Sequence, residues 1–422
     1  MGEVADMEFD LSGLSRTPDA AQLHQSHQAR GGFGPGTRFV QTFDFNNMNY
    51  GQSNIIQIPA VDMVVEDAYV ELNLARLTTV MPTNGSFMPT YWFLGSQGIQ
   101  LLAKGQSVYT AQSNLVRDYR RMNTDSAAQL NNMLELTNDV GVAKSKANAL
   151  VANNYIIDLR CLVDAVLGKA GTISAYPSNF WSLDVNLKNL NQIVTSSDGG
   201  AAAAGGAITS AKLVLVGHKE EQQVISNQTN ALGSDGIKIT YSQPNYKSFA
   251  VANGNTGDTY SMPDIQGNVS QMWLLERLAS GLTSTTPSSV RDTPLLNDLP
   301  SDTVSIGTTN NPFALWGRAQ PQKVARYGIQ GYSYLGGPEY LLPVAAGALP
   351  ANSGLIAVAA CDKASSDLQH GVYSGSFRVN NNFLVTTATA DPGAAQTLDV
   401  IVFIRRVLVL GLNGILASIN EE

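Results

Sequence analysis

Charge is scarce in this sequence. Asp, Glu, Lys and Arg supply 14% of its 422 residues, against about 25% in an average soluble chain. A protein that buries much of its surface against copies of itself manages with so few charges, and so does a β-rich secreted protein. Composition alone fits both. Basic residues are the scarcer sign: 26 Lys and Arg stand against 34 Asp and Glu, for a net charge of −8. That balance argues against a chain that neutralises nucleic-acid phosphates over its whole surface. Cysteine is nearly absent. Cys161 and Cys361 are too few for a disulfide framework, and the count is equally compatible with a reducing cytoplasm. Met1–Asp10 (MGEVADMEFD) carries acids where an export signal needs a basic and then an apolar stretch. The sequons at Asn84, Asn227 and Asn268 are accordingly read as chance matches.

Long apolar runs are missing too, with one exception, Leu398–Leu412 (LDVIVFIRRVLVLGL). It is shorter than the roughly 20 residues a membrane helix needs. Arg405 and Arg406 at its middle would each cost about 2.5–3.5 kcal/mol at a bilayer centre. The run is expected to be a long strand buried on both faces, in a soluble chain.

What is present is a β-rich vocabulary. Gly, Ser, Thr and Asn abound, and aromatics are spread evenly, as suits short strands joined by turns. The length exceeds one comfortable core, so two domains are expected. Residues 1–37 read as an arm, with a short helix over Ala20–Arg30 ended by the glycines of 31–36. The arm is acidic: Glu3, Asp6, Glu8, Asp10 and Asp19 face only Arg16 and Arg30.

Residues 38–222 follow as a first sandwich. Strands are predicted at Ser53–Ala60, Ala68–Leu77, twice within Tyr91–Tyr109 around a Lys104-Gly105 turn, Tyr155–Val166, Trp181–Lys188 and Ala211–Gly217. Helical stretches interrupt them at Ser113–Arg121 and Ser126–Leu136, and Asp198–Gly206 reads as a flexible loop tip. Residues 223–236 read as a polar linker ending in the Asp235-Gly236 turn.

Residues 237–422 repeat the plan. Strands are expected within Ile237–Ala252, Thr259–Arg277, Tyr340–Val344, Leu355–Ala360, Ser374–Thr387 and Val400–Leu410. Residues 281–311 read as an irregular excursion and Asn311–Arg326 as a helix. The halves share a faint repeat: Ile56-Gln57-Ile58-Pro59, Val65 and Tyr69 match Tyr260-Ser261-Met262-Pro263, Val269 and Trp273, each pair 204 residues apart (263 − 59). Val116–Tyr119 and Val324–Tyr327 also fall at similar places. No regular helix–strand alternation marks a parallel sheet. The fold class is all-β, two copies of one sandwich with short helical insertions.

A search for chemistry finds no constellation. His24 and His27 have helical spacing but no further ligands nearby, so no metal site is expected. His218 and His370 lie near no recognisable nucleophile, and Ser374 lacks the glycine two residues before it that a nucleophile elbow needs. Gly168-Lys169 departs from a phosphate loop at Val163 and Ala170 and reads as a turn. Cys161 and Cys361 read as small buried hydrophobes in strands, and Glu220-Glu221 as solvated charge at the linker. The basic groups Arg117, Arg120, Arg121 and Arg318, Lys323, Arg326 fit either exposed helix faces or salt bridges to neighbouring subunits. They lack the interleaved aromatics of single-strand binders. No catalytic, cofactor-binding or metal residue is assigned.

Three places carry a family resemblance. Gln28-Ala29-Arg30 followed by Gln41-Thr42-Phe43-Asp44 is similar to the point where an arm meets a first barrel. Gly98–Tyr109 with Ser113–Arg121 resembles mid-barrel strands and the helix after them. Gly371-Val372-Tyr373, Phe377-Arg378-Val379-Asn380 and Asp399–Leu416 resemble the closing strands of a second barrel. The layout resembles that of the double jelly-roll major capsid proteins of tectivirus-like phages, large DNA viruses and virophages. That resemblance implies two tandem eight-stranded jelly-roll β-sandwiches and a homotrimer whose six barrels form a pseudo-hexagonal tile of an icosahedral virion. Its implied partners are other copies, penton or minor capsid proteins and an internal membrane reached by the arm, with assembly in the host cytoplasm. An acidic arm suits a shell that does not touch nucleic acid directly. The rival reading is a secreted two-sandwich protein that acts on or binds glycans.

Overall fold

The computed structural model describes residues 36–79, 86–122, 136, 153–195, 204–252, 258–278, 303–308, 311–319, 355–359, 377–380, 383–388 and 396–420. In the first half the main strands are β1 (Arg38–Asp44), β2 (Ser53–Ile58), β3 (Val64–Leu74), β4 (Leu94–Ala103), β5 (Gln106–Ala111), β6 (Asn153–Asp158), β7 (Trp181–Leu187) and β8 (Ile208–His218), beside two pairs of two- to three-residue strands. They form two antiparallel sheets, ordered β1-β8-β3-β6 and β2-β7-β4-β5. First pairs with last, second with second-last, and so inward to the β4–β5 hairpin. This is a long antiparallel hairpin wrapped into a sandwich, the jelly roll.

The second half repeats that order. Its strands are β9 (Ile237–Val251), β10 (Asp258–Met262), β11 (Gln266–Leu278), β12 (Thr303–Thr308), β13 (Asn311–Ala319), β14 (Leu355–Ala359), β15 (Phe383–Ala388) and β16 (Gln396–Gly411). The sheets run β9-β16-β11-β14 and β10-β15-β12-β13, with Phe377–Asn380 added along β11 and Gly414–Asn420 along β16. The 204-residue repeat therefore maps β2 onto β10 and β3 onto β11. A backbone irregularity obeys the same offset. The β3–β8 ladder skips Glu66 between Val65↔Gly217 and Asp67↔Val216, and the β11–β16 ladder skips Ser270 between Val269↔Ile404 and Gln271↔Phe403. Each half carries a β-bulge at the equivalent residue.

Alternation builds the cores. Ile56 and Ile58 on β2 are buried while Ser53, Ile55 and Gln57 are exposed, so one face of the strand lies on the core. Opposite them, Trp181, Leu183, Val185 and Leu187 on β7 are all buried. The buried Asn54 is paired: its amide donates to the carbonyls of Asn49, Gln52 and Val185 at 3.0–3.1 Å and its oxygen accepts Asn49 N–H at 2.7 Å. The β4–β5 hairpin closes through Lys104 and Gly105 at φ 49° and 80°, the left-handed pair that a two-residue turn requires.

Helices α1 (Ser113–Met122), α2 (Arg160–Ala165) and α3 (Gln222–Gly233) fill the connections. Four expectations need correcting. The linker segment folds as α3, because Ile225 and Leu232 are buried on one side of it. Cys161 lies in α2 rather than in a strand. The helix expected from Asn311 is the strand β13 as far as Ala319: its Ala, Leu and Arg favour helix, but pairing with β12 overrides that preference. β13 ends the sheet order, where Pro312 is tolerated. Thr303–Thr308, within the supposed irregular excursion, is strand β12. The arm helix at Ala20–Arg30 and the strand at Tyr340–Val344 lie outside the described residues, as does Ser126–Leu136 apart from Leu136.

α3 is fastened to the first half by Thr229, whose hydroxyl donates to Ala175 O at 3.3 Å, and by Gln228. Gln228 donates to Ala170 O at 2.7 Å and accepts Thr172 N–H at 3.0 Å, straddling Gly171. Gly171 has φ +76°, and a Cβ there would meet the Gln228 amide at 2.6 Å. Gly171→Ala is expected to destabilise the chain by about 1–3 kcal/mol, from left-handed strain and the displaced amide. Urea unfolding of the variant measures it.

Candidate functional site

The two sandwiches are joined by an apolar seam. Ile239, Tyr241, Trp273, Ile401, Phe403, Leu408 and Leu410 of the second half belong to the same buried cluster as the first-half core. Tyr241 packs 6.5 Å from Tyr109 between ring centroids, and Trp273 lies 6.4 Å from Tyr119 and 5.0 Å from Phe403. Polar contacts stitch its rim. Tyr246 Oη accepts Gln112 N–H at 3.1 Å and donates to Thr110 O at 3.4 Å. Asn114 donates to Asp399 at 3.0 Å, and Lys169 Nζ to Thr240 O at 3.2 Å. Burial pushes the hydroxyls of Tyr109, Tyr119 and Tyr246 above their ordinary range, with Asp164 adding to the effect at Tyr119. Burial also draws the Lys169 ammonium down.

A second cluster sits where residues 1–35 join the body. Gly36 N–H donates to Lys219 O at 2.8 Å and Lys219 N–H to Thr37 O at 3.0 Å. Beside them Arg38 Nε donates to Glu66 Oε2 at 2.7 Å, and His218 Nδ1 lies 2.8 Å from Glu66 Oε1. His218 Nε2 is 3.9 Å from Glu220 Oε2. Burial raises the Glu66 carboxyl, but the hydrogen bonds from His218 and Arg38 outweigh it and leave the group below its usual range. An open groove of about 370 Å³ adjoins, lined by Thr37, Phe39, Gln41, Val61, Asp62 and Lys219.

The residues singled out from sequence are thus dispersed. His218 and Glu220 come together, and Glu220 is 5% exposed, so it is not the solvated charge expected. Arg117 is also buried rather than on an exposed face, its guanidinium 5.7 Å from the Tyr91 ring centroid. Arg318 lies on β13, not on a helix. Gly168-Lys169 is a turn of 3-10 helix, and Cys161 is buried with its thiol pushed up by burial. Asn268 is buried in β11. His24, His27, His370, Ser374, Cys361, Asn84, Lys323 and Arg326 lie outside the described residues. Sequence reasoning missed Glu66, Arg38 and the seam tyrosines. A polar residue at the repeat position of Ser270 was the available signal for Glu66.

Large apolar side chains stand exposed at Val40, Ile55, Leu136, Leu412, Leu416 and Ile419, three of them at the C-terminal hairpin. Among the described residues no helix is long and apolar enough to cross a membrane.

No protein-family model matches the sequence, and no curated protein does. Solved structures do match. PBCV-1 VP54, fitted into a reconstruction of the virophage Sputnik, is 12% identical, with 92% of this chain and 97% of that chain covered at TM-score 0.63. The quasi-atomic PBCV-1 virus capsid gives 12%, 90%, 97% and 0.61. The Faustovirus major capsid protein gives 9%, 89%, 91% and 0.60. The likeness spans both halves of the chain and shows that it has the double jelly-roll fold of these proteins.

Tyr246 offers a direct check on the seam. Tyr246→Phe removes the acceptor of a part-buried N–H and is expected to lower stability by about 1–2 kcal/mol, read as a lower urea midpoint at unchanged m-value.

Proposed function

We propose that this chain is a major capsid protein, three copies of which form a pseudo-hexagonal tile of an icosahedral shell. The observation that carries the reading is the same eight-strand jelly roll built twice in one chain and fused through a shared core, on the fold of the Faustovirus major capsid protein. Two similar barrels per chain let three chains approximate six-fold packing. A surface with few charges suits burial against other copies, since charged residues are depleted from the cores of interfaces. The role is structural rather than catalytic.

The finer picture follows from that role. Residues 1–37 lie on the inner face and lock tiles to neighbours or to an internal membrane, and their acidity suits a shell held apart from its genome. Other copies, penton and minor capsid proteins are the partners, in a virion assembled in the host cytoplasm.

Light scattering after size exclusion is expected to find three chains, 3 × 44.9 = 134.7 kDa, with a hexagonal outline in negative stain. A monodisperse monomer would sink the reading and direct attention to glycan release or binding. Deleting residues 1–30 should leave trimers intact and block shell assembly, and normal particles from that variant would remove the arm's role.

A further inference from the structure

The two halves are built alike, but an edge that is covered in one is open in the other. The ladders fix which residues correspond. Thr42 pairs with Val214 and Val214 with Tyr69 in the first half, as Tyr246 pairs with Ile401 and Ile401 with Trp273 in the second. Thr42 and Tyr246 are thus equivalent, and their separation, 246 − 42 = 204, is that of Tyr69 and Trp273. The edge strand β1 is the counterpart of the edge strand β9, with Thr37 at the place of Tyr241 and Val40 at that of Pro244.

In the second half this edge is closed by the first. Tyr241 Oη donates to Val108 O at 3.4 Å, and Tyr246 Oη to Thr110 O at 3.4 Å. The β9–β16 ladder is unbroken between the two tyrosines, so they leave β9 on opposite faces, yet both end on β5. β5 therefore lies along the edge of β9 rather than against one face. Tyr241 and Pro244 are buried there. Among the described residues the matching edge of the first half is open. Thr37, Val40 and Thr42 are exposed, Val40 to 56%. The groove of about 370 Å³ runs beside it, with Thr37, Phe39 and Gln41 of β1 on its wall. Threonine stands at both places where the seam has tyrosine, so the open edge leaves room that the closed one fills from its own side.

We propose that the open edge of β1 is the seat of β13 from a second copy of this chain. β5 and β13 are counterparts, each the outer strand of a hairpin and the last strand of its sheet. A second copy that repeats between chains the contact made within one brings Asn311–Ala319 along β1 as β5 lies along β9. The sequence supplies the missing volume. β5 reads QSVYTA, with one aromatic to meet the tyrosines of β9. β13 reads NPFALWGRA, and its Phe313, Leu315 and Trp316 suit an edge lined with threonines. β1 and β5 lie at the ends of different sheets of the first sandwich, so one chain holds its own second half and a neighbour's at once. An open strand edge is also a place that needs cover. The contact is heterologous, groove to strand, and such contacts close into rings or run on as fibres. Resting on the capsid reading above, it closes: each copy gives one groove and one β13, and the seam within each chain recurs between chains around the tile.

The test places the photo-cross-linker p-benzoylphenylalanine at Val40 of the full chain. Illumination is expected to join two chains on a denaturing gel, with residues 311–319 in the cross-linked peptide. A second variant needs no mapping. Thr37→Glu with Val40→Glu buries two unpaired carboxylates in the contact and is expected to raise the dissociation constant of the assembly about a hundredfold or more, read by light scattering across dilution. Both positions are exposed in the single chain, so its circular dichroism should stay that of the unaltered protein. Three copies joined at some other segment, or a double variant that holds together as tightly as the unaltered chain, overturns the seat and leaves the capsid reading standing. Single copies from the unaltered chain overturn the capsid reading itself. Should the double variant fold poorly, the cross-link decides.

Discussion

The double burial of β16 is the constraint on which the architecture depends. Ile401 and Phe403 belong to the cluster shared with the first half, whereas Leu398, Val400, Val402 and Ile404 alternate with them and are equally buried. One strand therefore serves two cores. Its length follows from that duty, since it must pair with β9 along fifteen residues and still reach the C-terminal hairpin. The two halves cannot turn against each other without breaking this shared surface, which is why Tyr246, Gln228 and Lys169 reach across it with fixed partners.

The paired bulges show how one backbone device serves two ends. At Ser270 the bulged side chain donates to Phe403 O at 3.2 Å within buried surroundings. At Glu66 the equivalent residue looks out to a cluster of charges at the start of β1 and the end of β8. The repeat keeps the irregularity and changes the side chain.

Much of the architecture was legible in the sequence. Period-two alternation in Ala68–Leu74 and Trp181–Leu187 marked strands because each lies half on a core, and Leu398–Leu412 marked one buried on both faces. The same reasoning failed where local preference opposed pairing: Asn311–Ala319 carries helix-favouring residues but lies in a sheet, and 222–233 is polar enough to pass for a linker while burying only Ile225 and Leu232. The candidate site was far less legible. From sequence His218 reads only as a histidine near no nucleophile, because Glu66, which it meets, and Arg38, which shares that carboxylate, are 152 and 180 residues away. Only the ladder between β1, β8 and β3 brings them together, and long-range register is not written in local spacing.

The shared seam also sets an order on synthesis. The first sandwich holds its strands within residues 38–218 and has all of them once that stretch has left the ribosome. Its face at Tyr109 and Tyr119 is met first by Tyr241 of β9 and Trp273 of β11, whereas Phe403 of β16, which backs Trp273 at 5.0 Å, emerges some 180 residues after His218. At ordinary elongation rates that interval is about 10–40 s. During it the nascent chain presents a finished first barrel with an unfinished seam, which β16 completes.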